Sequence, residues 1–379
     1  MSIDLEARLR RLLALSASSG DAEERALRRA LAALPAAERP RRRIRALTLA
    51  LAATVVVMTV AAGALAAAGA LHVSLGRTSK ASPRAAASRL VLQPGLSGIA
   101  AVIDGRLWLT TKGGTRIEGL PVASAELSPH ALYVGAGIGH TLVVMAPDGR
   151  RAWAHATRGD VSAISWAPNG LLIAYVVHVG AGFQLRMIEG DGDHDRLIDR
   201  AVRAVRPSWR ADGLALAYVG AGGHAVVYDL AHRSRTVAST ANGAMGVVYA
   251  PDGASLAIMS RHRLWVAARA QRPLLVATER GTLSSIAWTR WALAAAVNRA
   301  GGRGFVRLIP RHGGLVMQGL GVGSPVLALA GSGDSVTVAV GGPRPKLRVL
   351  TSAPRGIPSS EHVLLGLPAG SSVSYFVTR

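Results

Sequence analysis

Four aspartates within a short window carry the densest potential chemistry in this sequence. Asp191, Asp193, Asp195 and Asp199 stand at relative positions 1, 3, 5 and 9. Oxygen ligands on alternate residues can curl around a hard cation, and this spacing matches loops that hold calcium. The sixth position, where such loops turn on glycine, is Arg196. The residues therefore allow two readings, a calcium loop and a solvated hairpin. The other reactive side chains do not gather. The eleven histidines are scattered singly, His130, His155, His194 and His262 among them. The chain contains no His-Glu-x-x-His, no Gly-x-Ser-x-Gly and no P-loop. Gly301-Gly302-Arg303-Gly304 is glycine-rich but precedes a strand-like run, not the helix that phosphate binding uses. Cysteine is absent, which excludes disulfides and thiolate metal sites. The expectation is a protein that is not an enzyme, with no catalytic residues and no cofactor other than a calcium ion.

The elements that must position these residues announce themselves as a repeat. Trp166-Ala167-Pro168-Asn169-Gly170, Trp209-Arg210-Ala211-Asp212-Gly213 and Tyr249-Ala250-Pro251-Asp252-Gly253 are separated by 43 and 40 residues. Self-similarity at this period is the mark of a β-propeller, one blade per repeat. Each part has a mechanical reason. The aromatic ends the innermost strand and fills the wedge between blades. Pro168 and Pro251 fix φ at the turn, and Asn or Asp before Gly170, Gly213 and Gly253 supplies a tight reversal. The strand that follows alternates, as in Leu214-Ala215-Leu216-Ala217-Tyr218, so that one face meets each neighbouring blade.

Weaker copies extend the array. They lie at Leu127-Ser128-Pro129, at Trp288-Thr289-Arg290-Trp291 and at Val326-Leu327-Ala328-Leu329. Ile99 to Leu120 reads as a blade lacking its first strand, and Ser372 to Thr378 as one extra strand. Donating that last strand to the first blade removes the open edges of a linear array. The expected fold is all-β: a propeller over residues 90–379 with seven blades, six being the alternative.

The repeat resembles the WD40-like repeat of the TolB family, whose consensus is close to Trp-Ser-Pro-Asp-Gly before an alternating strand. The similarity covers roughly residues 98 to 320. It implies the fold and, in membrane-anchored envelope relatives of actinobacterial type, protein or ligand binding. It implies no site residue, because the matched positions are structural. Blades of this family commonly carry an Asp-Gly hairpin followed by Arg-Leu, here Asp191-Gly192 and Arg196-Leu197. The resemblance thus favours the hairpin reading of the aspartates.

Residues 46–72 contain no Lys, Arg, Asp or Glu. That length exceeds the ~20 residues a helix needs to cross a bilayer. Arg39, Arg41, Arg42, Arg43 and Arg45 precede the run, and the positive-inside rule then puts the N-terminus in the cytoplasm and the propeller outside. A cleaved signal peptide ending near Ala68-Gly69-Ala70 is the alternative, but a long charged segment stands before it. Residues 1–45 read as a cytoplasmic segment of two short amphipathic helices, the second opening with a capping box at Asp21 and Glu24. Residues 73–89 read as a linker. The layout is that of a single-pass inner (plasma) membrane protein.

The formal charge is +22, and the region after residue 72 has 33 Lys and Arg against 16 Asp and Glu, which leaves +17. Arginines are scattered over every repeat without the aromatic interleaving that stacks bases, so no nucleic acid is expected. The reading is a membrane-anchored binding or scaffold protein, with an envelope protein or ligand at a propeller face. One alternative is a regulator, anti-sigma-like or associated with a sensor kinase, that relays to a cytosolic partner at residues 1–38. A second alternative is a lyase or glycosidase working in the channel, which needs convergent carboxylates.

Overall fold

The structure is a computed structural model. It describes residues 98–111, 116–238, 243–268, 272–311, 317–321, 323–342, 346–352, 358–366 and 373–378. The cytoplasmic segment (1–45), the membrane span (46–72), the linker (73–89) and the expected propeller start at Leu90 lie outside the described residues. Among the described residues no helix is long and apolar enough to cross a membrane.

Seven four-stranded antiparallel sheets form the blades of one ring. Their strands are lettered A to D from the channel outward. Blade 3 shows the plan, with A at Asp160–Trp166, B at Leu172–Val179, C at Gly182–Glu189 and D at Arg196–Val202. Blade 1 is assembled from both ends of the domain. Its A strand is Val373–Thr378, and B, C and D are Gly98–Ile103, Arg106–Thr111 and Arg116–Pro121. The register runs from Ile99 opposite Thr378 to Ile103 opposite Val373. The expected closure by a donated C-terminal strand is therefore observed, and the blade count is seven.

The apolar residues do not form one core. They divide into seven clusters, one in each wedge between adjacent blades. The wedge between blades 7 and 1 joins Ile99 and Ala101 to Ala330, Ala339 and Leu347, so packing closes the ring as well as hydrogen bonds. Burial follows radius. The B strands are covered on both faces, as at Ala215–Val219, whereas the D strand Ser234–Val237 of blade 4 is exposed throughout. Near the axis the wedges narrow, and the alanines of Ala292–Asn298 fit where larger side chains would push the sheets apart.

Contact is closest at two glycines. A Cβ built on Gly331 would lie 1.8 Å from the Trp288 carbonyl oxygen, and one on Gly159 would lie 1.8 Å from that of His178. Only a residue without a side chain lets blades 6 and 7 approach this far at Gly331, and lets the chain entering blade 3 lie this close to that blade's own B strand at Gly159.

Candidate functional site

The A strands surround a central channel of about 720 Å³. Because the strands are antiparallel, A–B and C–D turns share one end of the ring, and B–C and D–A connections share the other. The channel runs from Pro129, Pro168 and Pro251 at the first end to Val205, Arg206 and Met245 at the second. Serines line the wall between them, among them Ser165, Ser208, Ser284 and Ser285. Glu126, on the A strand of blade 2, is the acid among the described lining residues, and it is fully buried. Arg206 reaches it from the connection into blade 4 and forms an ion pair. That ion pair engages the carboxylate, and the second carboxylate of a glycosidase pair is not among these lining residues.

The repeat motif builds the first rim. Asn169, Asp212 and Asp252 each accept from the backbone N–H two residues on, at 3.0, 2.9 and 3.0 Å. Gly170, Gly213 and Gly253 have φ of 72°, 69° and 69° and each donates back to the residue at the turn's start. Turns of adjacent blades lean on one another. A Cβ on Gly213 would lie 2.8 Å from the Asn169 amide nitrogen, and one on Gly253 would lie 2.8 Å from the Arg210 side chain. Arg311 from blade 6 pairs with Asp252. The aromatics tie neighbouring blades too. The indole N–H of Trp209 donates to the Ser165 carbonyl at 2.9 Å, and that of Trp288 donates to the Val248 carbonyl at 2.9 Å. At Tyr249 the backbone N–H donates to Ser208 Oγ at 2.9 Å. Trp166 is buried in the wedge between blades 2 and 3.

The aspartates proposed for calcium are placed apart. Asp191 accepts from the Asp193 N–H at 3.1 Å, a hairpin contact, and both side chains are exposed. Asp195 accepts from the Tyr175 hydroxyl at 2.8 Å and three bonds from Arg186, with His155 Nε2 at 3.3 Å. Asp199 accepts from the Tyr218 hydroxyl at 2.6 Å and lies 3.3 Å from Arg235. A β-bulge separates the last two. Arg186 pairs with Leu197 but Leu185 with Asp199, so the extra residue turns Asp195 toward blade 2 and Asp199 toward blade 4. Among the described residues no group of three or more His, Cys, Asp or Glu side chains is placed to hold a metal ion.

Burial, and then the adjacent Asp195 carboxylate, push the Tyr175 phenol far above its ordinary value. Burial and the hydrogen bond to Asp199 do the same at Tyr218. The Asp195 hydrogen bonds hold the Arg186 charge more firmly than usual. These groups act as neutral donors and fixed ion pairs that join strands. The sequence marks both tyrosines through the repeat and marks Asp195 and Asp199 as part of the aspartate cluster, but nothing in it shows that Tyr175 pairs with Asp195 or Tyr218 with Asp199, nor that Glu126 pairs with Arg206.

No protein-family model and no curated protein matches the chain. Solved structures do. The chain is a seven-bladed β-propeller. It is similar to the β-propeller domain of Cps50 (Swd1) from Myceliophteria thermophila, at 12% identity and TM-score 0.49, over 64% of this chain and 86% of that one. It is similar to TolB from Acinetobacter baumannii, at 14% identity and TM-score 0.46, over 74% and 66%. The RRP9 WD40 repeats are similar at 11% identity and TM-score 0.48, over 65% and 81%. TolB and WD40 propellers are thus among its structural neighbours, as the repeat motif implied.

Proposed function

We propose that this protein is a non-enzymatic binding scaffold whose propeller recognises a protein or ligand through the loops at one end of the ring. The observation that carries this reading is the channel. Its buried carboxylate, Glu126, is committed to Arg206, while the loop ends around it are the solvent-facing parts of the strand frame, where binding residues generally sit. The uncharged run over residues 46–72 supports attachment to the plasma membrane by a single span, with residues 1–45 in the cytoplasm and the propeller outside.

The test is a crosslinked pull-down from native membranes, comparing the full chain with a form lacking residues 1–38. Partners shared by both forms support the scaffold reading. A cytosolic regulator captured by the full chain alone would favour the second reading, a transmembrane relay. That reading draws on the sequence pattern of a capping box at Asp21 and Glu24, by which a helix is expected to open in the N-terminal segment.

A further inference from the structure

Charge is sorted between the two ends of the ring. The A–B and C–D turns hold Asp148, Asp191, Asp193, Asp212 and Asp252, interspersed with arginines. At the other end Arg158, Arg261, Arg280, Arg299 and Arg303 are exposed on the B–C and D–A connections, with Arg203 and Arg206 half-buried nearer the axis. The carboxylates at that end are Asp104, Asp160 and Glu279; Asp160 lies 3.5 Å from His140, and Glu279 is buried and paired with Arg307. The even scatter of arginine along the sequence thus becomes a one-sided field once the strands are threaded.

The centre of the basic end is apolar. Met245 is 45% exposed beside the channel mouth, where Val205 and Leu327 also line the wall. An apolar centre inside an arginine-rich rim is the composition of a protein-binding patch. A surface for single-stranded nucleic acid would instead present aromatic platforms. The aromatic among the exposed large hydrophobic residues is Tyr133, in the A–B turn of blade 2 at the opposite end.

We infer that the B–C/D–A end of the propeller docks an acidic protein segment, with an apolar side chain seated against Met245 and flanking carboxylates on the arginine rim. This rests on the scaffold reading and names the class of partner. Guanidinium groups pair with carboxylates in bidentate fashion, and a rim of them speeds encounter and selects by charge.

The test uses the full chain in detergent and three probes: a synthetic peptide with a central Leu-Leu between runs of glutamate, the same peptide with Ser-Ser, and polyphosphate. The Leu-Leu peptide is expected to bind roughly tenfold more tightly than the Ser-Ser peptide, the gain of one buried apolar contact. Met245→Asp should abolish that difference. The triple change Arg261→Glu, Arg280→Glu, Arg303→Glu should weaken both peptides. An equal reversal at the other end, Arg150→Glu, Arg272→Glu, Arg290→Glu, should leave them unchanged. Equal binding of all three probes, insensitive to Met245→Asp, would overturn the inference in favour of bulk electrostatics. So would equal effects of the two triple variants. Native-membrane capture separates this failure from that of the scaffold reading. Partners held equally by the wild type and the Arg261/Arg280/Arg303 variant would sink this docking end alone. No specific capture by the wild type would sink the scaffold itself.

Discussion

Gly331 and Trp288 meet where the inner strands of blades 6 and 7 are closest. A methyl group on Gly331 collides with backbone, not with a side chain that can turn away, so both blades must shift. Overpacking costs about 1–3 kcal/mol where side chains can adjust, and Gly331→Ala is expected at or above the top of that range. Gly105 has a φ of 69° with open space around it, and Gly105→Ala should cost only about 1–2 kcal/mol of left-handed strain. Urea unfolding of the two variants checks the order.

The two buried tyrosines supply a pH test. Their folded-state values lie above those of the unfolded chain, so their contribution is complete below the ordinary phenol value of about 10. Stability should then fall as pH rises beyond that value. Tyr175→Phe and Tyr218→Phe should flatten the alkaline slope, and ultraviolet titration should show both phenols ionising only as the protein unfolds. The aspartate window has its own test. Asp195 and Asp199 are engaged on opposite sides of a bulge, so calcium and chelator should leave the melting temperature unchanged. A shift with calcium that disappears in Asp191→Asn would restore the calcium reading.

At the scale of elements, the four-stranded blade is held mainly by its neighbours. Trp209 makes this concrete, because its indole both fills the wedge between blades 3 and 4 and bonds across it. Trp209→Phe keeps most of the fill and removes the indole's bond to the Ser165 carbonyl, a cost of about 0.5–1.5 kcal/mol. Trp209→Ala removes both and should cost about 3–5 kcal/mol. Calorimetry of the pair separates bond from bulk. Deleting Val373–Thr378 tests the closure, because it strips the B strand of blade 1 of its inner partner and exposes the apolar residues of Ile99 and Ala101. The expected outcome is loss of the cooperative transition and aggregation, checked by light scattering during a thermal scan.

Much of this level was legible beforehand. The Trp-x-Pro-Asx-Gly spacing carries its own turn geometry, and Ile99–Leu120 reads as a blade one strand short because three alternating runs are visible and a fourth is not. The bulge at Ile198 was not legible, since a one-residue slip leaves no mark in composition. The Glu126–Arg206 pair was equally silent. The two residues are far apart in sequence and are joined only by the curvature of the ring.

For the whole molecule, the sorting of charge gives the ring a direction that the chain's net charge of +22 conceals. Threading alone produces it, since each blade sends alternate loops to opposite ends. Binding of anionic vesicles or polymers should weaken steeply with salt as the exposed rim is screened, over a Debye length of about 8 Å at physiological ionic strength. Binding of an acidic segment that also buries an apolar anchor should retain a salt-independent part. Titrations at low and high salt distinguish the two.

The placement of Val373–Thr378 as the inner strand of blade 1 also bears on how the protein is made. Blade 1 has three strands ready as soon as Pro121 has emerged, yet the fourth comes only after some 250 further residues. At ribosomal speeds of about 5–20 residues per second, the first blade waits unclosed for roughly 13 to 50 seconds. Any chaperone or export factor acting on this chain has that interval in which to work, before a finished circle stands in its way. A message cut short anywhere before Val373 yields a product that cannot complete its circle. Chains that lack Val373–Thr378 carry a free strand edge on blade 1.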